Sequence, residues 1–152
     1  PVQISRQPEE TPHHALEKLY HTMLAKTQHP IYQHGEWRAF DTHWPYNGTD
    51  TKDNLIVYGW RLNDEFRLII VNMTYVWSHA VIDLSAWPDL KESRWGLCDV
   101  LRETYRFVEG KQLVDDGLHV ELEGYQAMIL RFEWLDMNRA RQFIRIAAGW
   151  RR

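Results

Sequence analysis

Apolar residues are densest between Asn54 and Leu84, NLIVYGWRLNDEFRLIIVNMTYVWSHAVIDL, where three runs follow one another with short polar breaks. Asn54 to Leu62 and Phe66 to Met73 are rich in Ile, Val, Tyr, Trp and Phe, the residues that fit a pleated sheet, and Asn63, Asp64 and Glu65 between them are turn formers. A third run, Trp77 to Leu84, follows the Asn72 to Tyr75 break, so the stretch predicts a β meander of three strands. In the third strand Ala80, Ile82 and Leu84 alternate with His79 and Asp83, the period of a sheet with one wet face. Leu68, Ile69, Ile70 and Val71 are consecutive, which predicts a middle strand covered on both faces, one cover being a second sheet.

On the amino-terminal side, Leu16, Leu19, Tyr20, Met23 and Leu24 fall on one face of a helix. Thr11-Pro12 reads as its N-cap and first turn, and the helix is expected to end near Thr27 because Pro30 cannot continue it. Gly35 to Phe40 is a short strand, and HWPYNGTDTKDN is a loop of turn formers. After the connection SAWPDLKESRWG, short strands are expected at Leu97 to Leu101, Tyr105 to Val108, Leu113 to Val114, Leu118 to Leu122 and Tyr125 to Phe132, separated by Gly- and Asp-rich turns. The last segment, Asp136 to Arg152, sets five arginines among Met137, Ala140, Phe143, Ile144 and Ala147 and reads as a basic amphipathic helix. The pattern as a whole predicts a mostly β fold, an antiparallel β-sandwich with Greek-key character, preceded by one amphipathic helix and followed by a C-terminal helix. The divisions expected are 1–34 for the lead-in and helix, 35–132 for the sandwich and 133–152 for the basic tail.

The chain has 152 residues, room for one domain with a real core, and a formal net charge of -3 that makes neither nucleic acid nor an anionic membrane an obvious partner. No apolar run approaches the roughly 20 residues of a membrane-spanning helix. A lone cysteine, Cys98, excludes an internal disulfide, fits a reducing, cytoplasmic compartment, and reads as a small buried residue. The chain opens with Pro1 and without the charged-then-apolar order of a signal peptide, which reads as a processed piece. Glycosylation is not expected at the sequons Asn47 and Asn72, the second of which falls at a strand end.

The order of parts resembles a known architecture. LEKLY in a helix, Pro30, the Gly35-Glu36-Trp37 strand, NLIVYGWR, LIIVNM closed by Asn72, and GLHVELEGYQAMIL together resemble the carboxy-terminal β-sandwich of the α-amylase superfamily, glycoside hydrolase family 13, from Leu16 to Phe132. In that family the sandwich follows the last helix of a catalytic (β/α)8 barrel. The resemblance implies a non-catalytic accessory domain plus that helix, which stabilises the barrel and contacts α-glucan in carbohydrate metabolism. The family's aspartate nucleophile, glutamate acid/base and second aspartate have no matching motif here, so no catalytic residue is carried over. The alternative is a free-standing β-sandwich module that binds a carbohydrate or a protein.

The residues themselves agree. Asp64 with Glu65, and Asp115 with Asp116, are adjacent pairs explained by turn chemistry rather than by the facing carboxylates of glycoside hydrolysis. His14, Glu17 and His21 share a helical face, but the histidines are seven apart rather than four, so a solvated face is expected and no metal or cofactor. Trp44, Tyr46 and Trp87 sit in loop sequence beside Asn47, Asp50 and Asp89, and are the candidate sugar-stacking residues; the competing reading has them plug the ends of the sandwich. Trp37, Trp60 and Trp77 are expected in strands, as core or interface. Leu16, Leu19, Tyr20, Met23 and Leu24 are the candidate interface, covered by the barrel, by the sheet's second apolar face, or by a second copy in a homo-oligomer.

Overall fold

The computed structural model describes residues 13–45 and 48–135. Leu55–Leu62 (β3) and Glu65–Asn72 (β4) form the expected hairpin in full register, from Leu55 opposite Asn72 to Leu62 opposite Glu65. Asn63 opens its two-residue turn at φ 54, a left-handed conformation that asparagine tolerates better than most residues. The third run does not continue the hairpin. Ser78–Ile82 (β5) leaves for a second sheet, where it lies between Thr42–His43 (β2) and Leu118–Leu122 (β8). The meander expected over Asn54 to Leu84 is therefore corrected to a hairpin and a crossover. The place beside β4 is taken instead by Ala127–Trp134 (β9), which also pairs with Arg94–Asp99 (β6).

With Glu36–Ala39 (β1) and Thr104–Glu109 (β7) at its edges, the large sheet runs β1-β3-β4-β9-β6-β7, and every pairing in both sheets is antiparallel. The fold is a mostly β antiparallel sandwich. β9 standing between β4 and β6 gives it the crossed connectivity of a Greek key. The inner face of the large sheet supplies Leu55, Val57, Phe66, Leu68, Ile70, Leu97, Leu130 and Phe132, and the small sheet answers with Ala80, Ile82, Leu118, Val120 and Leu122. β5 and β8 alternate buried with exposed or half-buried positions along their length, as a sheet with one wet face requires. Of Leu68 to Val71 in β4 the first three are buried and Val71 is half-buried, so cover on both faces holds for three of the four residues from which it was expected.

Other strand expectations shift or fail, the run expected over Leu97 to Leu101 being Arg94–Asp99, which takes its first residues from the expected connection. Leu113 and Val114 belong to a helix, Gly110–Asp115 (α3), whose first residue lies so close to the Leu90 and Ser93 carbonyls that a Cβ there would overlap both. A helix turns Leu113 fully inward at that spot, which a two-residue strand would not. β9 begins at Ala127 rather than Tyr125 and runs on to Trp134, beyond the residue at which the sandwich was expected to end.

The amino-terminal helix His14–Thr27 (α1) ends where expected, but its N-cap is His13; the Thr11-Pro12 start lies outside the described residues. Pro30 opens a second short helix, Pro30–His34 (α2), with the His29 side chain accepting the Ile31 N–H. α2 lies on the outer face of the large sheet, buries Ile31 completely and sets the Tyr32 ring edge-on to Trp60 at 5.0 Å. The basic tail from Asp136 onward lies outside the described residues, as do Tyr46 and Asn47.

Candidate functional site

α1 carries no buried residue. Its stripe stands in solvent, with Leu16 47%, Leu19 49%, Tyr20 59%, Met23 37% and Leu24 59% exposed. The sheet's outer face does not cover the stripe, because α2 is already seated there. On the other side of α1, Glu17 lies between His14 and His21 as an exposed cluster. Five large apolar side chains at helical spacing are left uncovered by the described residues; covering each is worth roughly 1.5 to 3 kcal/mol.

The sugar platform read from the sequence is not assembled. Trp87 is 3% exposed and packs at the centre of the core, its ring 4.6 Å from Phe40, 5.1 Å from Phe66 and 5.8 Å from Phe132. It does not face solvent. Trp44 follows β2 with about a third of its surface exposed, and Tyr46 lies outside the described residues. Trp60 is half-buried against Tyr32 and Tyr58, whereas Trp37 is 56% exposed and Trp77 63%, so the last two are not core residues.

Exposed aromatic rings gather elsewhere, where the β4–β5 crossover meets the β8–β9 turn. Tyr75, Trp77 and Tyr125 are 79%, 63% and 73% exposed, with Met73 beside them. The two loops are bound to each other. The Tyr125 N–H donates to Thr74 O at 2.8 Å, and Gly124 passes so close to Tyr75 that a Cβ there would overlap its backbone. Beneath them lies Asn72, 1% exposed. Its Nδ2 donates to Val76 O (2.7 Å), Glu123 O (3.0 Å) and Leu122 O (3.2 Å), and its Oδ1 accepts from the Thr74 N–H and hydroxyl, both 3.0 Å, and from Ser78 Oγ at 3.4 Å. An amide so enclosed offers no acceptor for a glycan. Tyr125 sits at φ 58, a backbone conformation that costs a bulky side chain energy and persists only where the surroundings impose it. The sequence reading missed this surface by placing Trp77 and Tyr125 inside strands. The signal was the TYVW stretch after Asn72, which is a loop once β5 is assigned to another sheet.

Asp64 and Glu65 lie in the β3–β4 hairpin, and Asp115 pairs with Lys91 at 2.7 Å on the surface. Among the described residues no three His, Cys, Asp or Glu side chains gather with metal-ligand geometry, and no helix is long and apolar enough to cross a membrane.

No protein-family model and no curated protein matches the sequence. Solved structures do match the fold. A maltogenic α-amylase AmyB from Thermotoga neapolitana superposes with a TM-score of 0.58 at 16% identity, over 89% of this chain and 28% of that one. The chain shares its fold with a part of an α-amylase. The α-amylase from Geobacillus thermoleovorans, solved with acarbose, gives 0.59 at 14% identity over 84% of this chain and 24% of that one. AmyP, in complex with maltotriose, gives 0.54 at 14% identity over 85% and 22%. The chain thus spans about a quarter of the length of the α-amylases it matches. The amylase-type sandwich is the fold that the ordered sequence motifs had implied.

Proposed function

We propose that this chain is a non-catalytic accessory domain of an α-amylase-type glycoside hydrolase, docked through α1 on a catalytic barrel that it stabilises. The observation that carries the reading is the likeness of most of this chain to about a quarter of each amylase chain. The bare stripe of α1 supports it, since a last barrel helix parted from its barrel has this character. The coding sequence tests it directly. A barrel encoded upstream in the same reading frame supports the proposal, and a coding sequence that starts just before Pro1 removes it.

The stripe has a consequence for the chain by itself. With no barrel present, two copies are expected to pair through α1, and Leu19→Glu is expected to turn the dimer into a monomer at matched concentration. Leu19 is half in water and outside the core, so the same change is expected to move stability by no more than about 0.5 kcal/mol. Sedimentation velocity with a parallel thermal melt reads both. A wild-type chain that stays monomeric at high concentration contradicts the pairing.

Contact with α-glucan belongs to the same reading, and the exposure of Tyr75, Trp77 and Tyr125 supports these rings as its candidates. Stacking on an open surface gives affinity near the millimolar range, about -4 kcal/mol. A maltoheptaose titration followed by tryptophan fluorescence is expected to show saturable quenching that Trp77→Ala abolishes. Quenching that survives Trp77→Ala and Tyr75→Ala places the sugar elsewhere.

A further inference from the structure

The outer face of the large sheet sets two guanidinium groups side by side. Arg67 on β4 and Arg131 on β9 are direct partners across the strands, and like charges so placed destabilise a sheet unless something answers them. The Arg67 side chain is only 10% exposed. Among the described residues its one hydrogen bond runs from Nη1 to Phe66 O at 3.0 Å, while the Glu65 carboxylate stays 3.7 Å from Nη2, too far to accept. Arg131 pairs along its own strand with Glu133 and reaches the Tyr105 hydroxyl at 3.4 Å, but its buried Nε has no hydrogen-bond partner among the described residues. Both arginines line a cavity of about 330 Å³, bounded on its other side by Lys26, Gln28, His29 and Tyr32.

The charge count is uneven: Arg67, Arg131 and Lys26 stand against Glu65 and Glu133. Glu65 is half exposed and shared with His29 at 3.6 Å, which leaves the buried end of the cavity cationic. Burial works against the Arg67 charge and holds its guanidinium below the ordinary value. A second cavity, about 390 Å³ and lined from β6, β7, β8 and β9, includes a buried carboxylate, Asp99. There Arg106 donates to His119 O at 3.0 Å, and the buried Asp99 carboxylate is taken by Arg102 and the Leu101 N–H. The Arg67 cavity has donors left over and space in front of them. Guanidinium groups bind oxyanions through paired N–H bonds, and phosphate or carboxylate supplies acceptors in matching geometry.

We propose that the cavity between Arg67 and Arg131 is an oxyanion site that holds a phosphate or carboxylate group, with Lys26 and His29 at its mouth. It does not depend on the accessory-domain reading. The test is calorimetric titration of the whole chain with inorganic phosphate and, separately, acetate, ionic strength held constant with sodium chloride, alongside thermal melts. Saturable binding is expected, weakened at least about tenfold by Arg131→Met, the loss of one charge-assisted hydrogen bond. Lys26→Ala, on an exposed side chain that cannot disturb the core, is expected to weaken it by a smaller factor. Phosphate binding without acetate binding identifies a phosphate site. Acetate binding with the same dependence on Arg131 identifies a site that also takes a carboxylate, free or borne by a docked polypeptide. No heat from either ion at 50 mM, on the order of a Kd too weak to matter, overturns the proposal. So does stabilisation that is equal in the wild type and Arg131→Met, the mark of a general salt effect.

Discussion

Asn72→Ala is expected to cost about 3 kcal/mol or more, because each buried donor or acceptor left without its partner costs about 1 to 3 kcal/mol and this amide serves several at once. The carbonyls of Val76, Leu122 and Glu123 lose their donor, and the Thr74 N–H and hydroxyl lose their acceptor. Urea denaturation measures it as a lower midpoint at unchanged slope. Asn72→Asp is expected to be no better, since a carboxylate can accept from Thr74 but cannot donate to three carbonyls, and it carries charge to a position 1% exposed. A loss below about 1 kcal/mol for Asn72→Ala would show that the two loops hold together without it. The effect should reach the surface, because the loops pinned by Asn72 carry Tyr75 and Tyr125, and rings released from a fixed arrangement stack less well on a sugar.

Trp87→Ala is expected to be as damaging or worse, at about 3 to 5 kcal/mol, the range for truncating a large buried aromatic ring. Gly59 shows how closely the core fits the indole, since a Cβ there would run into Trp87 and Phe40. Trp77→Ala, at a ring 63% exposed, is expected to change stability by about 0.5 kcal/mol at most. Measured side by side in urea, the two variants separate a core tryptophan from a surface one. A Trp87→Ala cost near that of Trp77→Ala would mean that Trp87 spends much of its time outside the core.

The contrast between these tryptophans shows what the sequence could say. Local periodicity places residues on faces within an element, so the β3–β4 hairpin, the wet face of β5 and the apolar stripe of α1 were legible from the spacing of Val57, Ile70, Ala80 and Leu19. Partner choice between elements is not local. Nothing in TYVWSHAVIDL distinguishes a strand that folds back on β4 from one that crosses to another sheet. That decision rests on β9, far along the chain, and it carried Trp77 and Tyr125 out of the strands assigned to them. Trp87 stayed open between sugar stacking and an end plug for a related reason. Ala-Trp-Pro-Asp reads as a solvated loop, yet Pro88–Glu92 forms a tight 3₁₀ turn that folds inward, with Trp87 and Leu90 both buried. The Arg67 and Arg131 pair was invisible for the same reason as β5, since it exists only in the register of β4 with β9.

The position of β9 also governs when this domain can become a domain at all. The β3–β4 and β6–β7 hairpins can each close early, but the large sheet has no centre until Ala127–Trp134 enters between them. During synthesis both hairpins therefore wait with an apolar edge strand open while the ribosome completes nearly the whole described chain. Open apolar edges are templates for pairing with other chains, and contacts this distant in sequence form slowly. A chain cut short anywhere before Ala127 loses more than its last strand. It keeps two half-sheets with no seam to join them, so truncation should yield aggregates rather than a smaller folded protein.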